Sequence, residues 1–349
     1  MPRVTLETLP DYARYLIAAA EDAATLFPVT RTVRLPALEL TVHLEPGALA
    51  DALGHAFVEA GDDQPGLADC RIFVGHPGIG GMPEPARWGD AHFTEHGFAQ
   101  RLAGSGLRGH YFHDLDFWQV YDPQRRVGVQ LMRAAGAFPP WETGSPLRAF
   151  LHWEYGARGM RLAHAGTFGA DGSGVLLAGA GGAGKSGTVV AGLLNGLDSV
   201  GDDYVLVDLS SSVIARPLFS VLKQDPKGFA RLGLKDRLGS DMPLNWQGKH
   251  VFHIGDIASR PIPGTLDIVA LMVPHIGAGG TSSIMPMSRR DAMIALAPSG
   301  IAQMPGERES GFRFFSDLTR LLPCYRLSLG TDPGEIGGTI ADFLARGAS

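Results

Sequence analysis

The stretch Gly179-Ala180-Gly181-Gly182-Ala183-Gly184-Lys185-Ser186 constrains this chain more than any other. It fits the pattern Gly-x-x-x-x-Gly-Lys-Ser/Thr, in which small residues let backbone N–H groups close around phosphate oxygens. Such a loop needs a strand before it and a helix after it. Gly174-Val175-Leu176-Leu177-Ala178 is a short apolar run of the kind a buried strand uses. Ser186 to Leu194 is rich in apolar residues and free of proline, so the spacing predicts a helix whose positive end faces the phosphates. In a chain with 47 glycines the loop alone also reads as a Gly/Ala-rich turn; the flanking strand and helix give it weight. On this reading Gly179 through Ser186, with Gly187 after them, hold a nucleotide. Lys185 approaches the β- and γ-phosphates, and the Ser186 hydroxyl holds Mg²⁺.

The length of 349 residues predicts two domains, or one large one with an appendage. The net charge of −6 and the lack of a basic run argue against a nucleic-acid surface. Cys70 and Cys324 are far apart, which fits two small buried thiols rather than a disulfide or zinc framework. No stretch reaches the roughly 18 apolar residues that span a bilayer, and the N-terminus lacks a basic, apolar, cleavable segment, so a cytoplasmic location is expected.

Residues 11–27 read as a surface helix. Val33–Leu35 and Leu40–Leu44 read as strands broken by Pro36, and Arg71–Gly75 as another, while 76–90 read as loop. Phe117–Tyr121 and Val127–Met132 flank Asp122-Pro123-Gln124-Arg125-Arg126, a hairpin pattern. The segment from Phe138 to Pro146 is the boundary candidate. It gives an N-terminal α+β domain at 1–143, for acceptor recognition or a subunit interface, and an α/β domain at 144–349. In the second domain the expected strands are Val175–Ala178, Tyr204–Leu209, Leu266–Val273 and Tyr325–Leu329. The expected helices are Ser186–Leu194, Arg289–Leu296, Phe312–Leu321 and Pro333–Leu344, with Ser288 and Asp291 as a cap. Trp118, Tyr121 and Trp141 read as core, with exposed recognition as the other reading.

Gly201-Asp202-Asp203 precedes the apolar run Val205-Leu206-Val207. Two carboxylates at the mouth of a strand are costly unless cations compensate them, and Mg²⁺ with Lys185 supplies that. One acid then helps Ser186 hold the metal, while the other accepts a proton from an attacking hydroxyl. Adjacent strand residues point opposite ways, so both reach the site only if the backbone bends there. A solvated turn accounts for the same three residues. His164 is either a satisfied core histidine or, if its strand forms a hairpin with Val175–Ala178, a neighbour of the loop able to touch the γ-phosphate or tune a carboxylate.

Taken together, Leu162 to Val207 resembles the catalytic domain of HPr kinase/phosphorylase, and more distantly the ATP-dependent phosphoenolpyruvate carboxykinases. That family has a His-bearing strand, an apolar strand, a Gly-rich Lys-Ser loop and an Ala/Gly-Asp-Asp turn. Carried over, His164 corresponds to the active-site histidine, Gly179 to Ser186 to the nucleotide loop, and Asp202 and Asp203 to the acidic pair. Lys223-Gln224-Asp225-Pro226, Ala297-Pro298-Ser299 and Pro323-Cys324-Tyr325-Arg326-Leu327 resemble a divergent branch that includes proteins similar to lasso-peptide kinases. The chain lacks the Glu-x-Arg-Gly-Leu-Gly signature of the bifunctional enzymes, and Gly181 replaces the usual loop serine, so the resemblance implies neither HPr as partner nor phosphorolysis. What it implies is a P-loop kinase using ATP and Mg²⁺, with Asp202, Asp203, His164 and Lys185 as catalytic residues and a peptide or protein hydroxyl, serine above all, as acceptor. A homo-oligomer is compatible with it. A small-molecule kinase and a non-catalytic ATP-binding regulator remain as alternatives.

Overall fold

A computed structural model describes residues 3–61, 68–239, 241–277, 279–300 and 308–347. The chain is mixed α/β, with 11 α-helices among the described residues, and it separates into two compact units between Arg158 and Gly159.

The first unit is built on a six-stranded mixed sheet in the order Val29–Leu35, Leu38–Leu44, Ala68–Gly75, Val127–Leu131, Phe117–Asp122, Arg108–Phe112. Pro36-Ala37 forms the turn of the first hairpin, with Ala37 at φ 56°. The expected hairpin across 122–126 forms, with Trp118 opposite Leu131. Helix Leu9–Asp22 buries Leu9, Ala13, Leu16, Ile17 and Ala20 in the core that holds Trp118 and Val129. Trp118 and Tyr121 are fully buried, which makes them core residues. Segment 76–90 holds one short strand, Arg87–Trp88, parallel to Arg3–Val4. Helix Arg148–Ala157 belongs to this unit, so the division falls after Arg158 and not at 143. Its anchors lie far back in sequence: Tyr155 donates its hydroxyl to the Pro36 carbonyl at 2.9 Å, and Glu154 accepts from the Tyr121 hydroxyl.

The second unit centres on strand Leu266–Ile276. One edge carries the loop strand Ser173–Ala178 in parallel. The other pairs first with Ile214–Arg216 and then, in parallel, with Cys324–Leu329. The loop strand alternates across two cores: Val175 and Leu177 face one, Leu176 and Ala178 the other. Helices Lys185–Leu194 and Pro333–Arg346 cover the first face through Val189, Val190, Ile336 and Ile340, and helices Arg289–Gly300 and Arg308–Leu321 cover the second through Ala292, Leu296, Phe315 and Leu318. Each of these Val, Ile, Leu and Phe side chains contributes about 1.5–3 kcal/mol by leaving water, and Ala292 less. All four expected strands and all four expected helices of this half form, with ends shifted by a few residues. Ser288 caps as expected: its hydroxyl accepts from the Asp291 N–H at 3.1 Å and donates to the Asp291 carboxylate at 2.7 Å.

The strand path runs Ala165–Ala170, Ser173–Ala178, Leu266–Ile276, Ile214–Arg216, Val205–Asp208, Met160–Ala163. Its two end strands are consecutive in the chain and join through a single residue, His164. That join brings the His164 corner, the loop and the Asp pair to one end of the sheet.

Candidate functional site

The loop joins strand Ser173–Ala178 to helix Lys185–Leu194. Gly179, Gly182 and Gly184 have φ of 153°, 79° and 103°, in the region L side chains avoid. A Cβ on Gly184 would also come within 2.5 Å of Leu329 Cδ1. Lys185 is buried, and its Nζ donates to the carbonyls of Gly179 at 2.7 Å and Ala180 at 3.2 Å. Burial pushes its ammonium below the usual lysine range, against the pull of Asp202 and Asp203.

The acidic pair sits on the bend that the sequence required. Gly201 has φ 155°, Asp203 has φ 70°, and the Tyr204 N–H returns to the Asp202 carbonyl at 2.9 Å. The two carboxylates have different surroundings. Asp202 is only 2% exposed, and its Oδ1 is buried without a hydrogen-bond partner. Burial pushes its carboxyl above the ordinary range and the Asp203 charge adds to this, while the Ser186 side chain and the Asp203 N–H pull it down. Gly166 makes room for it: a Cβ there would lie 2.5 Å from Val189 Cγ2 and 3.0 Å from Asp202 Oδ1.

Asp203 is about one-third exposed and held by two partners, His164 Nε2 at 3.0 Å from one oxygen and the Lys223 ammonium at 2.8 Å from the other. Burial alone would raise its carboxyl, but the hydrogen bond from His164 and the Lys223 charge outweigh burial and hold it far below the usual aspartate range. The His164 ring stacks on Tyr204 with centroids 5.5 Å apart. His164 reaches the site by the expected hairpin, in which Ala165 pairs with Ala178 and so brings His164 level with the start of the loop. Strand Val221–Gln224 carries Lys223 to Asp203.

A buried polar network fixes the bend. The Thr167 hydroxyl accepts from the Val200 N–H at 3.0 Å and lies 3.1 Å from the Ser199 hydroxyl, which in turn accepts from the Gly201 N–H at 3.1 Å. The Thr167 N–H donates to the Gly201 carbonyl at 3.0 Å. Strand Ala165–Ala170 thereby holds both His164 and the Asp pair.

A pocket of about 340 Å³ opens against the loop, lined by Gly182, Gly184, Lys185, Ser186 and Gly187 on one side. Gly179, Ala180, Gly181 and Ala183 belong to the loop but are not among the residues that line this pocket. Lys223, Lys227, Arg231 and Lys249 form much of the remaining wall. Sequence reasoning missed the last three. One signal for them exists: Asp225-Pro226 is an N-cap followed by proline at the first helical position, and it starts helix Pro226–Arg231.

The donor set suits Mg²⁺. Ser186 and Asp202 offer hard oxygen ligands, and the unpartnered Asp202 Oδ1 is a buried acceptor in need of a cation. No cluster of three or more His, Cys, Asp or Glu side chains suited to a metal occurs among the described residues. Mg²⁺ is commonly held by one or two carboxylates plus substrate phosphates, which this arrangement matches. No helix among the described residues is long and apolar enough to cross a membrane. No protein-family model and no curated protein matches the chain.

Proposed function

We propose that the C-terminal unit is a P-loop kinase of the HPr-kinase type, which transfers the γ-phosphoryl group of ATP to a serine hydroxyl of a peptide or protein. The observation that carries this reading is the Asp203 carboxylate, charged, partly exposed and gripped by His164 and Lys223, beside a phosphate loop whose Ser186 meets Asp202. A solvated turn has no need of a histidine and a lysine on one carboxylate or of a buried second one.

The residues divide by accessibility. Ser186 and Asp202 would hold Mg²⁺, whose charge would offset that of the phosphates. Asp203 is within reach of an acceptor; Asp202, at 2% exposure, is not. Asp203 therefore orients the hydroxyl and takes its proton as the oxygen bonds to the γ-phosphorus and the bond to the β-bridging oxygen breaks, releasing ADP. Lys185 leaves its loop carbonyls for the phosphates, and His164 keeps the Asp203 carboxylate ionised and aimed. Positioning and charge supply the catalysis, so few residues suffice. The test is Lys185→Ala: with serine peptides and labelled ATP, wild type yields labelled peptide, and the variant loses at least about 100-fold in rate while keeping its circular dichroism spectrum. Equal turnover in a folded variant contradicts the assignment.

A further inference from the structure

The pocket beside the loop holds more positive charge than its own carboxylates balance. Lys223 is engaged by Asp203 at 2.8 Å, and Lys185 by two loop carbonyls. Lys227, Arg231 and Lys249 make no ion pair among the described residues, although all three line the same cavity. The one acid in that wall, Asp225, is occupied as a helix cap, accepting from the N–H groups of Lys227 and Gly228 at 2.9 Å.

The fold concentrates these charges. Lys227 and Arg231 stand four residues apart on helix Pro226–Arg231, one turn above the other on one face. Gln224 pairs with His250, which brings Lys249 alongside the start of that helix. Lys249 lies close enough to Lys185 to disfavour its charge. Arg231 reaches the first turn of the loop helix, with its Nη2 3.4 Å from where a Cβ on Gly187 would sit. Like charges this close disfavour the fold slightly, and an anionic ligand relieves them. Lys223 lines this cavity and its ammonium holds Asp203, so one side chain links the basic wall to the carboxylate that receives the acceptor hydroxyl. An acceptor whose hydroxyl reaches Asp203 therefore has the basic wall one lysine side chain away.

We infer that the acceptor is an acidic peptide, with carboxylates next to the phosphorylated serine that dock on Lys227, Arg231 and Lys249. This rests on the kinase reading above. The experiment uses the full chain, labelled ATP and three short peptides with a central serine flanked by aspartates, alanines or lysines, each read by kcat/KM. The aspartate peptide leads the alanine peptide by about tenfold, as charge-assisted contacts allow, and the lysine peptide is slowest. At saturating ATP, the double substitution Lys227→Glu, Arg231→Glu reverses the order of the three peptides. Equal rates for all three peptides overturn the acidic preference and leave the kinase reading standing. A loss of ATP affinity in the double variant also overturns it, because the cations then serve the nucleotide. Transfer to a small anionic alcohol with none to any peptide overturns the peptide assignment. ATP bound with no transfer to any acceptor overturns the kinase reading, and this inference with it.

Discussion

Asp203 combines a left-handed backbone, φ 70°, with a carboxylate shared between His164 and Lys223. Asp and Asn are the non-glycine residues that enter that region most readily. Asp203→Asn therefore removes the charge and keeps the bend, which makes it a clean probe of the electrostatics. The folded carboxyl lies well below its ordinary value of 3.8. As pH falls below about 4, the unfolded chain takes up a proton that the folded chain refuses, so stability drops with pH. The contribution is complete above that pH and disappears once the folded carboxyl protonates as well. Thermal melts between neutral pH and pH 3 thus show a shallower acid decline for the Asn variant than for wild type. Equal declines would mean that the carboxylate is not held by its neighbours.

Strand Ala165–Ala170 holds His164 at one end and, through Thr167, the Ser199–Gly201 approach to the acidic pair. Thr167→Val keeps the shape and removes the hydroxyl, leaving the buried Val200 N–H without its acceptor. The cost is about 1–3 kcal/mol, measurable by denaturant titration, and peptide phosphorylation falls with it because the bend loosens. A variant as stable and as active as wild type would show that the network does not position the site. This element also shows what the sequence could reveal. Strand, loop and helix were legible from Val175 to Leu194 because each contact there is local and each pattern contiguous. His164 followed from one hairpin register. The Asp pair turned on a bend whose marker, Gly201, was visible but also suits an ordinary turn. Lys227, Arg231 and Lys249 were not legible as a group, because a six-residue helix and a remote strand pairing bring them together. Strands as short as Ile214–Arg216 and Val221–Gln224 carry too little periodicity to be seen. The boundary was misplaced for the same non-local reason: helix Arg148–Ala157 is tied to Pro36 and Tyr121, over 25 residues away.

At the scale of the whole molecule, the second unit contains every group the proposed reaction needs, from His164 to Lys249, between two apolar cores that fix the central sheet. The account stands on Asp203 receiving the proton of an acceptor held over a loop-bound triphosphate. Its most direct test is single-turnover transfer from labelled ATP to a serine peptide, comparing wild type with Asp203→Asn under saturating nucleotide. The account predicts unchanged ATP affinity and a transfer rate reduced by about 100-fold or more. A variant that transfers phosphate as fast as wild type would contradict it.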